Sequence, residues 1–166
     1  AIAGIDVRLG ARVDGFEIEG GRLAALEIDG ERASVDLLVM GIGAAPETRL
    51  AEAAGLACDN GIVVDACLRS ADPRILAIGD CASFPEHGSG RRLRLESVQN
   101  ANDQARTALA TLTGAPEPYR ALPWFWSEQG SMRLQMAGLI PADAARHRRP
   151  GTSAASFSLL HYAGER

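Results

Sequence analysis

The opening part of the chain alternates short, partly apolar stretches with glycines, a pattern typical of a small antiparallel sheet. Gly20-Gly21 separates two of these stretches, and paired glycines supply the positive φ angles that a two-residue hairpin turn requires. We therefore predict an antiparallel meander whose successive strands cover residues 5–9, 12–19, 22–29 and 32–40.

The end of this meander is predicted to be buried, because residues 35–40 are almost entirely apolar. The run enters Gly41-Ile42-Gly43, which looks like the start of a Gly-x-Gly-x-x-Gly dinucleotide loop. Pro46 occupies the third glycine position, however, and no strand-helix-strand unit precedes it. From the residues alone, a tight turn is the favoured interpretation.

A second apolar run, residues 75–78, lies between a proline turn and Gly79, which predicts a buried strand of a parallel sheet. Gly79 and Asp80 would follow the carboxyl end of that strand, where ligands bind in open α/β sheets. Gly79 lets a ligand approach the backbone closely, and Asp80 offers two acceptor oxygens to hydroxyl donors. A purely structural alternative is that Asp80 caps a helix.

Two helices and several further strands are predicted from spacing. Pro46 begins a helix that ends before Gly55. A longer helix is predicted to end at Gly114 and to bury one apolar face, formed by Ala101, Ala105, Ala108, Leu109 and Leu112. Trp124 and Trp126 lie two positions apart in a predicted strand, so both rings should share one face. The next predicted strands are residues 131–139 and 156–162.

Composition and charge narrow the classes of function. Of 166 residues, 46% are apolar and 23% are charged, which is typical of a globular protein, and the net charge of -4 argues against nucleic acid as a partner. The sequence has no apolar run of membrane-spanning length and no leader pattern, so a cytoplasmic location without membrane contact is the expectation. Cys58, Cys67 and Cys81 lack metal or redox spacing and are interpreted as reduced thiols.

Residues 70–80 resemble the second FAD-binding motif of the flavoprotein reductases that have two dinucleotide-binding domains. In that family the acidic residue binds the ribityl chain of FAD, which implies this role for Asp80 beside Gly79. The Glu-Ser-Val-Gln sequence at 96–99 is similar to the family's helix start against the flavin, implying cofactor contacts for Ser97, Val98 and Gln99, the last two mostly through backbone atoms.

The same resemblance gives Gly41, Ile42 and Gly43 another interpretation, near the nicotinamide side of the cofactor. Residues 56–64 are similar to a further segment of the family, which implies that Gly61 turns into a short strand. Pro-Trp-Phe-Trp-Ser-Glu-Gln at 123–129 is similar to the opening of the carboxyl-terminal domain in the ferredoxin and rubredoxin reductase branch, implying that Trp126 lies by the flavin. The implied fold class is α/β, or α+β when the whole chain is considered. It is part of the flavoprotein fold that has two dinucleotide-binding domains, followed by the beginning of an α+β C-terminal reductase domain.

The resemblance also implies domain limits. Residues 1–45 would end an NAD(P)H-binding domain, 46–115 would form the second half of an FAD-binding domain, and 116–166 would start the C-terminal reductase domain. Because the sequence contains neither glycine fingerprint of the family, we expect a C-terminal-half fragment that is inactive by itself.

The implied function is electron transfer from NAD(P)H through FAD to a ferredoxin-type [2Fe-2S] protein or rubredoxin. No acid, base, nucleophile or metal ligand is assigned a catalytic role. Two alternatives stay open: an NADH oxidase or disulfide reductase of the same superfamily, and a non-enzymatic module that has lost its cofactor.

Two basic runs remain. Residues 144–150 carry Arg146, Arg148 and Arg149 and depart from the β-forming stretch that the resemblance implies there, and residues 91–94 form the second run. Charge runs are usually solvated faces. The alternative hypothesis is that they help to dock an acidic electron carrier.

Overall fold

The computed structural model describes residues 4–153 and 155–164, and the chain divides into two compact units, Ala1–Ala44 and Ala45–Arg166. The first unit contains a three-stranded antiparallel sheet in the order β1-β2-β3, formed by β1 (Val13–Glu19), β2 (Arg22–Ile28) and β3 (Glu31–Ser34). Gly20 and Gly21 have φ angles of +57° and +78°, so the predicted hairpin turn is confirmed. The predicted strand at 5–9 is wrong, because residues 6–8 have no regular structure.

The predicted buried strand at 35–40 is also wrong. Pairing with β2 stops at Ser34, and one further backbone hydrogen bond joins the Val35 N–H to the Ala24 carbonyl. Leu37 and Val39 beyond it are 79% and 83% exposed. A run that is apolar on both faces is buried only where neighbouring strands and layers cover it, and the described part of this unit supplies neither.

The second unit contains α1 (Arg49–Ala53), which begins three residues later than the predicted start at Pro46 and ends before Gly55, as predicted. A small mixed sheet follows, in which β4 (Ile62–Val63) pairs in parallel with β5 (Ala82–Pro85), and β5 pairs antiparallel with β6 (Arg92–Leu93). The short strand after Gly61 is therefore confirmed. Gly61 has a φ of +126°, and a Cβ there would lie 2.8 Å from the Cys81 carbonyl oxygen.

The predicted parallel strand at 75–78 is wrong in position. In this run Leu76 forms only an isolated bridge with Arg69, and Ile75 and Ile78 are 38% and 37% exposed. The parallel strand is β5, which follows Gly79 and Asp80. The glycine and the acid therefore form the turn that enters a strand, instead of the turn that leaves one.

A long helix, α2 (Val98–Leu112), is present where helical spacing predicts one, but its buried face differs from the prediction. Leu109 and Leu112 are 62% and 69% exposed. The buried residues recur every three or four positions and are mostly polar: Asn100, Gln104, Ala108 and Thr111. The apolar core beside the helix contains Phe84 and Tyr119 in an edge-to-face contact, with ring centroids 5.3 Å apart.

Two antiparallel hairpins complete the unit. The first pairs β7 (Trp124–Gln129) with β8 (Met132–Ala137), and the second pairs β9 (Ala145–Pro150) with β10 (Phe157–Tyr162). The predicted strands at 131–139 and 156–162 are confirmed, as is the mixed α/β class. The basic run at 144–150 does not depart from β structure, since it forms β9. Arginine stems can lie along a strand while their charges reach solvent.

Within the described ranges, no helix combines the length and the hydropathy needed to cross a lipid bilayer.

Candidate functional site

Gly79 and Asp80 lie in a single 3-10 turn, Gly79–Cys81, which packs against α2. The buried Gly79 N–H donates to Oε1 of Gln104 at 2.7 Å. Gly79 has a φ of +73°, and a Cβ there would lie 3.7 Å from the Cβ of Ala101. The positive φ angle favours glycine at this turn, where the backbone approaches the helix closely.

The side chain of Asp80 is exposed, whereas its backbone carbonyl is bound. Nη1 of Arg94 donates to that carbonyl at 3.1 Å, and Nε of the same arginine donates to Oδ1 of Asn60 at 3.1 Å. Arg94 also forms an ion pair with Glu96, and its side chain is only 13% exposed. The carboxylate of Asp80 therefore faces solvent, while Arg94 fixes the backbone of the turn through the Asp80 carbonyl.

The start of α2 is capped by Ser97, whose Oγ accepts from the Asn100 N–H at 3.1 Å. The first N–H groups of a helix have no partner within the helix and carry positive dipole character. Val98 is 61% exposed. The Gln99 side chain is engaged, since its Nε2 donates to Asp103 and its Oε1 accepts from the Trp124 N–H at 3.1 Å. Val98 and Gln99 can therefore offer a ligand chiefly their backbone donors.

The structure brings the turn and the helix start together. The Gly79 N–H donates to Gln104 in α2, and a Cβ on Gly79 would lie 3.7 Å from the Ala101 Cβ. The Ala101 N–H in turn donates to the Ser97 carbonyl at 3.1 Å. The start of α2 therefore has three features close to it: the exposed Asp80 carboxylate, the Gly79 backbone and the N–H donors of the helix itself. These donor and acceptor types fit the hydroxyl groups and ring carbonyls of a flavin nucleotide.

The two tryptophans of the chain lie on one face of β7, as predicted, and their rings are stacked. The ring centroids of Trp124 and Trp126 lie 5.0 Å apart, with an angle of 25° between the ring planes. The hydrogen bond from Trp124 to Gln99 ties this pair to the start of α2. A cavity of about 1120 Å³ adjoins Ser97 and Trp124 and extends between the two hairpins.

Gly41, Ile42 and Gly43 belong to the first unit and form an irregular, exposed segment. Gly43 has a φ of +96°, but residues 41–48 have no assigned turn, so the predicted tight turn is not found; Ile42 is 89% exposed. Their assignment to the nicotinamide side stays a prediction.

Within the FAD-like sequence pattern, Asp72 and Arg74 fix a tight loop before the turn. Nε and Nη2 of Arg74 donate to the two Asp72 carboxylate oxygens at 3.0 and 2.7 Å. These bonds lower the pKa of Asp72 to about 2, so the carboxylate is ionised at neutral pH.

Sequence reasoning missed Arg94 and Gln104, which bind the backbone of the Gly79–Asp80 turn. Polar residues at positions 100 and 104, one helical turn apart, are a signal that could have identified the inward face. Arg94 was hidden within a basic run that usually indicates a solvated surface.

Similarity to proteins of known structure identifies the fold. A ferredoxin reductase for the CYP199A2 system from Rhodopseudomonas palustris matches with a TM-score of 0.87 and 43% identity, covering 93% of this chain and 39% of that one. The structure of a covalent putidaredoxin reductase-putidaredoxin complex matches with a TM-score of 0.89 and 40% identity, covering 97% and 39%. The fold is thus a partial dinucleotide-binding fold of the kind found in FAD-dependent reductases.

Residues 2–105 match the family described as "Pyridine nucleotide-disulphide oxidoreductase", and the chain belongs to that family. Residues 124–166 match the family described as "Reductase C-terminal". Among relatives, rhodocoxin reductase of Rhodococcus erythropolis is 44% identical over 164 residues, covering 98% of this chain and 38% of the relative. Putidaredoxin reductase CamA of Pseudomonas putida is 41% identical over 167 residues, covering 99% and 40%. The chain therefore spans about two fifths of the length of these relatives.

Proposed function

We propose that this chain forms one wall of an FAD site in a flavoprotein oxidoreductase that carries electrons from NAD(P)H to a ferredoxin-type [2Fe-2S] protein or rubredoxin. The observation that carries the proposal is the contact of the Gly79–Asp80 turn with the first two turns of α2. Bound FAD would supply hydride acceptance and the release of single electrons.

The residues of the chain would bind and orient that cofactor. The Asp80 carboxylate would accept hydrogen bonds from hydroxyl groups of the ribityl chain, while Gly79 lets the turn that carries Asp80 lie close to α2. The N–H groups of Val98 and Gln99 would face the pyrimidine carbonyls, and the positive end of α2 would favour negative charge there. Ser97 would cap the helix start, and the stacked face that includes Trp126 would lie beside the ring.

The proposed electron acceptor follows from the relatives. One similar structure is that of a covalent putidaredoxin reductase-putidaredoxin complex, and one relative, 36% identical over 138 residues, is the rubredoxin-NAD(+) reductase of Pseudomonas putida. The basic strand β9 supports an acidic partner. A cytoplasmic location is part of the proposal, supported by the free thiols of Cys58, Cys67 and Cys81.

The alternatives are separated by simple observations. An NADH oxidase would transfer electrons to oxygen without an iron-sulfur partner, and a disulfide reductase would reduce a disulfide substrate through a cysteine pair. The match of residues 124–166 to the reductase C-terminal family favours an electron-carrier reductase over both. A non-enzymatic module would bind no FAD.

The proposal is tested by titrating FAD with the purified protein while flavin fluorescence is followed. We expect saturable quenching that Asp80→Ala weakens by tenfold or more in Kd, roughly the loss of a charged hydrogen-bond acceptor. Asp143→Ala, which removes another exposed carboxylate of the same unit, is the matched control and should bind like the wild type. Absence of FAD binding by the wild type, or equal affinity of the Asp80→Ala variant, would contradict the proposed site.

A further inference from the structure

The backbone of the Gly79–Asp80 turn is held at both ends by side chains from other parts of the chain. Oε1 of Gln104 accepts from the Gly79 N–H at 2.7 Å, and Nη1 of Arg94 donates to the Asp80 carbonyl at 3.1 Å. The two bonds act on the same dipeptide, one on its first N–H and the other on its last carbonyl. Neither uses the Asp80 carboxylate, which stays exposed.

We propose that Gln104 and Arg94 are positioning residues that fix the Gly79–Asp80 turn in the conformation that presents the Asp80 carboxylate to the flavin nucleotide. The inference rests on the proposed function. It extends that function to two residues outside the motif, which would act on the cofactor only through the turn.

Gln104 is suited to this task because it is fully buried and its oxygen is directed at a single backbone donor. Among the buried side-chain atoms of residues 4–153 and 155–164, its Nε2 is the one without a hydrogen-bond partner. A buried polar group is costly unless it is bonded. The amide is therefore retained for the bond made by its oxygen, and a carboxyl group could replace it if the acceptor alone matters.

Arg94 links three segments of the second unit through its side chain. Its Nε binds the Asn60 side chain before Gly61, its Nη1 binds the Asp80 carbonyl, and Glu96 pairs with it before the start of α2. A Cβ on Gly61 would lie 3.1 Å from the Arg94 Cδ, so the aliphatic stem also packs closely. Methionine at position 94 would keep this stem contact while removing the guanidinium.

The test compares FAD affinity and the midpoint potential of the bound flavin in the wild type and in Gln104→Met, Gln104→Glu and Arg94→Met. Gln104→Met and Arg94→Met should each weaken FAD binding about tenfold, which corresponds to about 1.4 kcal/mol, and shift the flavin potential and visible spectrum. Gln104→Glu should retain affinity at mildly acidic pH, where a buried carboxyl is neutral. Arg106→Met, which removes an exposed arginine of α2, is the matched control.

Loss of stability without a change in the bound flavin would identify a merely structural role and overturn the inference. Thermal unfolding without FAD measures that stability, and Gln104→Asn, whose shorter side chain withdraws the oxygen, replaces Gln104→Met if the latter does not fold. The Asp80→Ala variant separates the two proposals. If Asp80→Ala weakens FAD binding but Gln104→Met and Arg94→Met bind FAD with wild-type affinity and potential, the positioning role fails while the proposed site survives.

Discussion

The hydroxyl group of Tyr119 donates to Oδ1 of Asn100 at 3.1 Å, and both residues are buried. Nδ2 of the same asparagine donates to the Leu95 carbonyl at 3.1 Å. Asn100 thus connects the segment that precedes α2 with the segment that follows it. The start of the helix, which carries the candidate cofactor contacts, is fixed by a side chain that does not face the ligand.

This pair belongs to a wider pattern along α2. Gln104 binds the Gly79 N–H, and the hydroxyl group of Thr111 donates to the Cys67 carbonyl at 2.9 Å. Buried backbone groups in irregular segments have no ladder partners, so side chains must satisfy them. The polar face of α2 performs this role for the loops around the small β4-β5-β6 sheet, which explains why this face is inward.

The first prediction concerns Asn100. Asn100→Ala should lower the free energy of unfolding by about 2 to 3 kcal/mol, because it leaves the buried Tyr119 hydroxyl and the partly buried Leu95 carbonyl without their partner. Urea denaturation followed by circular dichroism measures this change. Asn102→Ala removes an exposed asparagine from the same helix and should cost less than about 0.5 kcal/mol. Equal losses in the two variants would contradict a structural role for the buried amide.

The second prediction is a pH dependence. Burial, and secondarily the charge of Asp103, raises the pKa of Tyr119 above its ordinary value of 10. A raised pKa means that the folded state holds the proton more tightly than the unfolded state does. The stabilising contribution of Tyr119 is therefore fully present below pH 10 and is lost as the pH rises through its folded pKa.

A pH titration of phenolate absorbance measures the pKa of Tyr119 once the other tyrosine is removed. The chain contains two tyrosines, so Tyr162→Phe leaves Tyr119 as the sole source of phenolate absorbance. We expect that absorbance to appear only above pH 10 in the folded variant and to shift down to the ordinary value in denaturant. Tyr119→Phe should remove the stability loss assigned to this group. Ionisation of Tyr119 at its ordinary pKa in the folded protein would overturn the prediction.

Local chemistry was enough to predict the glycine turns. The Gly20-Gly21 hairpin and the end of α1 before Gly55 each depend on a positive φ angle that glycine adopts freely. The shared face of the Trp124 and Trp126 rings follows from strand alternation, whereas their stacking is a finding of the structure. Each of these features is decided by a few neighbouring residues.

Features decided by distant partners were not predictable. The run at 75–78 has strand composition, but the partner of β4 is β5, where Ile62 lies opposite Ala82. The leucines of α2 have the spacing of a core face, yet the backbone groups of Gly79 and Cys67 draw Gln104 and Thr111 inward instead. For the candidate site, the motif predicts Asp80 and the helix start, whereas Arg94 and Gln104 emerge only from tertiary hydrogen bonds.

The two basic runs, residues 91–94 and 144–150, differ in the contacts that their arginines make. In the run at 91–94, Arg92 donates to the Val64 carbonyl at 3.0 Å and Arg94 binds the Asp80 turn, so both arginines are engaged within the fold. On β9, Arg146 and Arg148 share one face of the strand and Arg149 points to the other. The Arg148 guanidinium lies 4.5 Å from the centroid of the Phe157 ring.

The final prediction uses this difference in faces. If the face of β9 that carries Arg146 and Arg148 attracts an acidic iron-sulfur carrier, the double variant Arg146→Glu/Arg148→Glu should slow association with an acidic [2Fe-2S] ferredoxin about tenfold at low ionic strength. High salt should abolish the difference because it screens exposed charges. Surface-based binding kinetics at several ionic strengths measure both effects.

Arg149→Glu provides the matched control, because it reverses a charge on the same strand but on the opposite face. It is compared with the single variants Arg146→Glu and Arg148→Glu, so that each protein carries the same net charge. A docking face requires that the two single variants slow association more than Arg149→Glu does. Equal effects from all three would mean that only the overall charge matters, and an unchanged salt dependence would mean that β9 is a solvated strand without a docking role.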